Sequence, residues 1–191
     1  MSSLASWSTS AGDGGITRLA TGARVEKDSP TVELIGAVEE LAGWLAVLAE
    51  GGAAGEAGQA LAIAQNDVHE LLQQVAAPGA PHLSMAYVRR LDGLIGRLEA
   101  DLPVVAATLI PGGSLPAAHA AVARAVCRRA ERRLVSQAEI DPPAPGSAGI
   151  AYVNRLGDLL ALLARAANRD AGRPEPRFDR SLSLSAGAAL D

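Results

Sequence analysis

The chain has 191 residues, a formal net charge of −4, 49 % apolar residues and only five aromatic residues. This length predicts one domain with a sizeable core, and the acidic balance argues against a general nucleic-acid binder. The single cysteine, Cys127, excludes a disulfide or a thiolate metal cluster within one chain. Because no basic-then-apolar leader and no long apolar run is present, we expect a cytoplasmic protein with no membrane partner.

The predicted elements begin with residues 1–28, which are rich in glycine, serine and threonine and show no periodicity, so we expect a loop there. Five amphipathic helices follow, separated by glycine, proline and serine. They are predicted at about 30–50, 56–76, 83–101, 115–137 and 148–169. The fold class is therefore predicted as all-α, a five-helix bundle. Residues 1–172 are assigned to this domain, and the patternless tail 173–191 is predicted to be partly disordered.

Local signals set the expected ends and faces of these helices. Ser29 and Ser114 are predicted to cap the first and fourth helices, and Pro30 suits the first helical position. On the fifth helix, four apolar residues with a 3-4-3 spacing are predicted to face the core: Val153, Leu156, Leu160 and Leu163. On the fourth helix, Val122 and Val126 are predicted to do the same.

The stretch RAVCRRAERR, residues 124–133, concentrates five arginines and one glutamate on the fourth helix. Arginines four residues apart share a ridge of a helix and form two ridges here: Arg124, Arg128 and Arg132 with Glu131 beside them, and Arg129 with Arg133. Cations in a row repel one another, by a few tenths of a kcal/mol per pair. Such a ridge is favoured opposite an anion, and the arginine fork suits phosphate or carboxylate.

Three interpretations of this helix stay open at this point. It is a solvated face whose arginines pair with neighbouring helices through Glu39, Glu40 or Asp158; it binds a phosphorylated small molecule; or it binds nucleic acid. The last is the least supported, because no aromatic residues interleave with the arginines.

The glycine-rich start offers a second set of anion-binding groups. TSAGDGGIT, residues 9–17, precedes the only lysine of the chain, Lys27. Glycines allow backbone N–H groups to turn towards phosphate, and a lysine adds a point charge. The stretch lacks the Gly-Lys-Ser/Thr tripeptide of a P-loop. Together with the arginine ridge it predicts a two-sided site that fits one nucleotide triphosphate and not a polymer.

Five blocks in order resemble the ATP:cob(I)alamin adenosyltransferases of the propanediol-utilisation type. They are GDGGIT with TGARVEKDSP (12–30), IGAVEEL (35–41), LIPGGS (109–114), RAVCRRAERR (124–133) and YVNRLGDLLALLARAAN (152–168). The resemblance implies a five-helix bundle with an N-terminal glycine-rich phosphate-binding loop. It also implies a homotrimer that holds MgATP between subunits and a corrinoid, cobalamin, as the second substrate.

The resemblance also implies the site residues. The ATP-binding positions are Thr9, Ser10, Ala11, Gly12, Thr17, Lys27, Arg128, Arg129, Glu131, Arg132 and Asn154. The positions implied for catalysis are Arg128, Arg124 and Glu39, with Arg124 bridging to Glu39 of the adjacent subunit. No side chain is implied as a metal ligand, since Mg²⁺ arrives with ATP. The implied reaction is attack of Co(I) on C5′ of ATP with departure of triphosphate.

Several positions depart from the pattern of that family. Thr108 stands on the corrin side where a phenylalanine is usual, Ala11 replaces a threonine, and Glu39 and Ala42 replace an aspartate and an asparagine. The residues implied for nucleotide binding therefore match the family pattern better than those implied for corrinoid binding. An alternative function follows, in which the chain is a non-catalytic or repurposed nucleotide-binding relative. The remaining polar candidates receive structural roles: Cys127 as a packed thiol and Asp158 as a partner of a fourth-helix arginine.

Overall fold

The computed structural model of the chain describes residues 10–77, 83–140 and 146–185. Its body consists of five long helices, as the sequence predicts, and their bounds agree with the prediction to within a few residues. They are α1 (Pro30–Glu50), α2 (Gly55–Ala76), α3 (Met85–Ala100), α4 (Leu115–Ile140) and α5 (Gly146–Asp170). The predominantly helical fold is thereby confirmed.

Two shorter pieces flank this body. An antiparallel hairpin of β1 (Ile16–Arg18) and β2 (Arg24–Glu26) precedes α1, and the short helix α6 (Arg180–Ser185) follows α5. The hairpin region has no periodicity in the sequence, because strands of three residues are too short to display an alternating pattern. The all-α prediction is thus corrected by one small β-hairpin.

The helix α4 is central to the packing. It contacts α5 and α1 extensively, α2 packs on α1, and α3 packs on α5. The predicted stripe of α5 is confirmed, since all four of its residues are buried. The prediction for Val122 is wrong, because this side chain is 40 % exposed while Ala123 is fully buried. Neighbouring helical residues point about 100° apart, so the buried stripe at Ala123 turns Val122 aside.

The helix starts show which capping predictions hold. The Ser114 hydroxyl accepts a hydrogen bond from the Ala117 N–H at 3.3 Å, so it caps α4 as predicted. Ser29 precedes α1 in an extended conformation, but its hydroxyl makes no capping bond. The start of α1 is set by Pro30, whose ring fixes a helical φ, and its first turn is closed by the bond from Glu33 N–H to the Ser29 carbonyl at 3.0 Å.

A buried carboxylate ties three helices together. Asp67 of α2 is 3 % exposed and accepts a bond from the Tyr152 hydroxyl of α5 at 2.9 Å. It also accepts one from the Arg90 guanidinium of α3 at 2.6 Å. These bonds satisfy a charge that would be costly to bury alone, and they hold α5 in register against α2 and α3. Within the described ranges, no helix has the length and apolar character needed to span a membrane.

Candidate functional site

The arginines of α4 lie on two opposite flanks of its buried stripe. On the flank that faces α1, Arg129 contacts Glu40, and Arg133 lies 3.1 Å from Glu33. The two arginine ridges that the four-residue spacing predicts are separated in the fold because α1 and α5 pack on different sides of α4.

The flank that faces α5 carries a cluster of four hydrogen-bonded side chains. Arg128 donates through Nη1 to Glu131 Oε2 at 3.0 Å and through Nη2 to Asp158 Oδ1 at 3.1 Å. Asn154 donates through Nδ2 to Glu131 Oε1 at 2.8 Å. We call these four residues, Arg128, Glu131, Asn154 and Asp158, the α5-flank cluster. Three predicted ATP-binding residues are thereby in direct contact, and the predicted pairing of Asp158 with a fourth-helix arginine is confirmed.

The charges within the α5-flank cluster are set by its own hydrogen bonds. Partial burial of Glu131 opposes its ionisation, but the bonds from Asn154 and Arg128 outweigh that effect and lower its pKa. The bond to Glu131 raises the pKa of Arg128 against the opposing effect of burial. Glu131 is therefore an acceptor and Arg128 a donor at neutral pH, which fixes the direction of every bond between them.

A glycine of α5 makes room for the Arg128 guanidinium. A Cβ atom placed on Gly157 would lie 3.1 Å from both Cζ and Nε of Arg128. Gly157 is buried, so the guanidinium lies directly against the α5 backbone. This contact is not predicted from the sequence, where its one visible signal is the glycine of NRLGD between Asn154 and Asp158.

Two predicted catalytic residues, Arg124 and Glu39, are not brought together within the chain. Both side chains are exposed. Arg124 lies one turn before Arg128, on the α5 flank, whereas Glu39 belongs to α1, on the other side of α4. None of the ion pairs found among residues 10–77, 83–140 and 146–185 includes either of them. Arg132, also exposed, donates to the Arg128 backbone carbonyl at 3.0 Å.

The glycine-rich segment folds into a turn over Lys27. The turn is closed by bonds from Asp13 N–H to the Ser10 carbonyl and from Gly15 N–H to the Gly12 carbonyl, both 3.2 Å. A Cβ on Gly12 would lie 2.9 Å from Lys27 Nζ, so the absence of a side chain lets the ammonium sit against the turn. Thr9, another predicted ATP-binding residue, lies outside the described residues.

A cleft of about 350 Å³ opens beside this turn. Three predicted residues line it, Ala11, Gly12 and Thr17, together with Arg18 and Arg24, which the sequence analysis did not select. The two strands of the hairpin pack extensively on each other, and among the described elements neither does so on a helix. The hairpin that follows the glycine-rich turn is therefore not packed closely on α4.

The connector that precedes α4 is held by the end of the chain. The carbonyl of Thr108, the predicted corrin-side residue, accepts a bond from Phe178 N–H at 2.9 Å, and Ile110 N–H donates to the Pro176 carbonyl at 3.0 Å. Thr108 itself is exposed. The first part of the predicted tail therefore packs on this connector, while residues 186–191 lie outside the described ranges.

Asn168 fixes the Pro-Gly-Gly loop at the start of α4 and was also missed from the sequence. It is 4 % exposed, accepts from Ser114 N–H at 2.8 Å and donates to the Gly112 carbonyl at 2.9 Å. The helical pattern gave no signal for it, because the 3-4-3 spacing from Val153 to Leu163 continues to Ala167 and not to Asn168. The loop conformation thus depends on a side chain more than fifty residues further along the chain.

Cys127 lies among the arginines but faces the core. Its thiol is fully buried and donates to the Val153 carbonyl at 3.3 Å. Burial raises the pKa of Cys127 to about 12, against a smaller lowering by Arg128. The interpretation of this residue as a packed thiol is confirmed.

We expect Cys127 to resist thiol-modifying reagents at pH 8 in the folded chain and to react fully in denaturant. An unfolded thiol has a pKa of about 8.5, so the unfolded chain loses this proton first and the Cys127 contribution to stability falls as pH rises above that value. A chromogenic disulfide reagent measures both states. Rapid modification of the native protein would contradict the assignment.

Comparisons with known proteins point to one family. The family described as Cobalamin adenosyltransferase matches residues 7–167. A cobalamin adenosyltransferase of Cupriavidus metallidurans is 38 % identical over 93 % of this chain and 96 % of its own length. A corrinoid adenosyltransferase of Mycobacterium tuberculosis is 33 % identical over 85 % and 88 %. An arginine-to-lysine variant of the PduO-type ATP:co(I)rrinoid adenosyltransferase from Lactobacillus reuteri, solved with ATP, has a TM-score of 0.81 at 25 % identity, covering 90 % and 99 % of the two chains.

Proposed function

The chain belongs to the cobalamin adenosyltransferase family, and we propose that it transfers the 5′-deoxyadenosyl group of ATP to cob(I)alamin, releasing triphosphate. The resemblance drawn from the sequence motifs is thereby confirmed. The observation that carries the proposal is the α5-flank cluster, in which Arg128, Glu131 and Asn154 meet at hydrogen-bonding distance. A cation, an anion and an amide with defined bond directions form a polar surface suited to a nucleotide.

The reaction makes modest demands on the side chains. The cobalt of cob(I)alamin supplies the electron pair that forms its bond to C5′, and the bond from C5′ to oxygen breaks as triphosphate leaves with its electrons. The corrinoid thus supplies the difficult chemistry. The protein has to hold C5′ in line with cobalt and stabilise the departing charge. Arg128 and Lys27 are the proposed donors to the triphosphate.

In the proposed reaction, magnesium enters the site bound to ATP, as part of the MgATP substrate. Within the described ranges, no group of three or more histidine, cysteine, aspartate or glutamate side chains could hold a metal ion. The remaining proposed nucleotide ligands keep the roles that the resemblance implies: Thr9, Ser10, Ala11, Gly12, Thr17, Arg129 and Arg132. Arg129 would have to leave Glu40 to reach a nucleotide, since the two are in contact.

We place the complete ATP site between subunits of a homotrimer. Neither strand of the hairpin makes an extensive contact with a described helix of its own chain, so a second copy is the proposed source of the α5-flank cluster that completes the site. The outer face of α1 and α4 supports this assembly, because Val47 and Leu115 are 42 % and 70 % exposed and line one pocket with His119. Exposed apolar side chains that adjoin in this way are typical of protein interfaces.

Anaerobic turnover tests the proposed function. Purified protein, MgATP and chemically reduced cob(I)alamin are expected to give the adenosylcobalamin spectrum with an equimolar amount of triphosphate. If ATP binds and no product forms, the proposal is wrong. The exposed Thr108 and the changed corrin side would then favour the alternative, a nucleotide-binding relative without this activity.

A charge exchange tests the subunit contact. We expect Arg124→Glu to shift the trimer towards smaller species, because it places a second carboxylate opposite Glu39 of the neighbouring subunit; like charges at interfaces are costly. Combining Arg124→Glu with Glu39→Arg should restore the trimer. Sedimentation measures both variants. An intact trimer in the single variant, or no recovery in the double variant, would argue against this pair.

A glycine substitution separates nucleotide binding from stability. We expect Gly157→Ala to weaken ATP binding by about threefold to tenfold, because the new Cβ displaces the Arg128 guanidinium and costs roughly one hydrogen bond. The stability of α5 should stay equal or increase, since alanine in a helix is favoured over glycine by about 1 kcal/mol. Gly96→Ala on α3, which has open space at its Cβ position, is the matched control. Calorimetric titration with ATP and thermal unfolding give the two readouts, and unchanged ATP affinity would contradict the role of Gly157.

A further inference from the structure

The hairpin places two arginines directly opposite each other. In the antiparallel pairing of β1 and β2, Arg18 is the partner of Arg24, and Thr17 is the partner of Val25. Directly opposed residues of a strand pair project from the same face of the sheet. The Arg18 and Arg24 side chains therefore project from the same face of the two-stranded hairpin.

This arrangement is unfavourable for the hairpin itself. Like charges opposite each other destabilise a strand pair, and an isolated two-stranded hairpin is only marginally stable in water. No ion pair found in the described ranges includes either arginine. Glu26 lies on the same face of the hairpin, two residues after Arg24, and forms no ion pair with Arg24. The side-chain bond of Arg18 goes to the Gly22 carbonyl of the hairpin turn, at 3.1 Å, and leaves its charge uncompensated.

The two arginines face a concave surface that already contains other anion-binding groups. Both line the cleft of about 350 Å³, together with Ala11, Gly12 and Thr17. The Lys27 ammonium lies against the backbone of Gly12, as its 2.9 Å distance from a Cβ built there shows. Two arginines and part of the glycine-rich turn therefore line one small cleft, and Lys27 lies against the same turn.

We infer that Arg18 and Arg24 bind the triphosphate chain of the nucleotide, as part of a cradle formed by the hairpin and the turn 10–15. A guanidinium binds phosphate oxygens in a bidentate manner, and the anion would remove the repulsion that the register imposes. A compact polyanion fits better than nucleic acid because the cationic groups converge on one cleft and do not extend along a surface. The inference rests on the proposed function for naming triphosphate as the anion.

Direct binding of inorganic triphosphate to the full-length protein tests the cradle. Arg18→Gln and Arg24→Gln should each weaken triphosphate and MgATP binding by about threefold to tenfold, and the double variant by about tenfold to hundredfold, as expected for one and two net hydrogen bonds. Adenosine, which lacks phosphate, should bind all variants alike. Arg89→Gln, an exposed arginine of α3, removes the same charge elsewhere and should have no effect.

Stability distinguishes loss of the cradle from misfolding of the hairpin. Because the double variant removes like-charge repulsion, its thermal midpoint without ligand should be equal to or higher than that of the unaltered protein. Arg18→Lys with Arg24→Lys keeps both charges and should recover part of the triphosphate affinity. Wild-type triphosphate affinity in the double glutamine variant, or an equal loss of adenosine binding, would overturn the inference. If the variants behave as expected but the unaltered protein makes no adenosylcobalamin, the assignment of Arg18 and Arg24 to triphosphate binding is supported and the proposed function is wrong.

Discussion

Replacing Arg128 by alanine is expected to weaken ATP binding by about 1.5–3 kcal/mol, or roughly tenfold to 150-fold, the range for hydrogen bonds that involve a charged group. Arg128 is the only cation of the α5-flank cluster, and it donates to Glu131 at 3.0 Å and to Asp158 at 3.1 Å. Its loss leaves two carboxylates without their shared partner at the proposed triphosphate site. Repulsion of the incoming anion then adds to the lost hydrogen bonds.

Two further variants serve as controls for Arg128→Ala. Arg133→Ala removes an arginine of the same helix and breaks one ion pair, with Glu33 at 3.1 Å, but on the α1 flank, so ATP affinity should stay within twofold or so of the unaltered value. Arg128→Lys keeps the charge and loses the fork, and we expect an intermediate affinity. Calorimetric titration with MgATP measures all three. An unchanged dissociation constant in Arg128→Ala, or equal losses of ATP affinity in Arg128→Ala and Arg133→Ala, would contradict the assignment of the α5 flank to nucleotide binding.

Replacing Gly113 by alanine is expected to lower the free energy of unfolding by about 2–5 kcal/mol, combining left-handed strain with overpacking. Gly113 has φ +97°, and a Cβ there would lie 2.4 Å from Asn168 Oδ1. That oxygen cannot retreat without losing its bond from Ser114 N–H at 2.8 Å. The substitution therefore strains the backbone and displaces the side chain that fixes the loop.

Gly172→Ala is the matched control for Gly113→Ala. Gly172 also has a positive φ, +60°, but nothing lies within 4 Å of a Cβ placed on it. Gly172→Ala should lower the free energy of unfolding only by the backbone strain, on the order of 1–2 kcal/mol. Adding Asn168→Ala to Gly113→Ala removes the clash, so the two substitutions together should cost less than their sum. Denaturant unfolding measures each variant, and equal losses at Gly113 and Gly172 would show that the contact with Asn168 is unimportant.

Periodic features of the chain were accessible from the sequence because they are local. The α5 stripe from Val153 to Leu163 extends over eleven residues, and the helical period alone brings these side chains to one face. The four-residue spacing of Arg124, Arg128 and Arg132 predicts a ridge in the same way. The motifs around them were specific enough to predict the family.

The pairing between segments was only partly accessible. Asp158 was expected to meet an arginine of α4, because Asn154 and Asp158 lie one turn apart and opposite charges attract. The partner could not be chosen among five arginines without knowing which flank of α4 faces α5. The hairpin was not expected at all, and its register alone reveals that Arg18 and Arg24 face each other.

The helix positions, the α5 core stripe and the concentration of positive charge on α4 can all be predicted from residue order. The separation of the arginines onto two flanks, the space that Gly157 leaves for the Arg128 guanidinium and the hold of Asn168 on the loop at Gly113 emerge only once the helices are packed. Helical periodicity depends on the backbone geometry of consecutive residues. Flank, clearance and loop shape depend instead on which distant segment packs against them, and no local pattern encodes that choice.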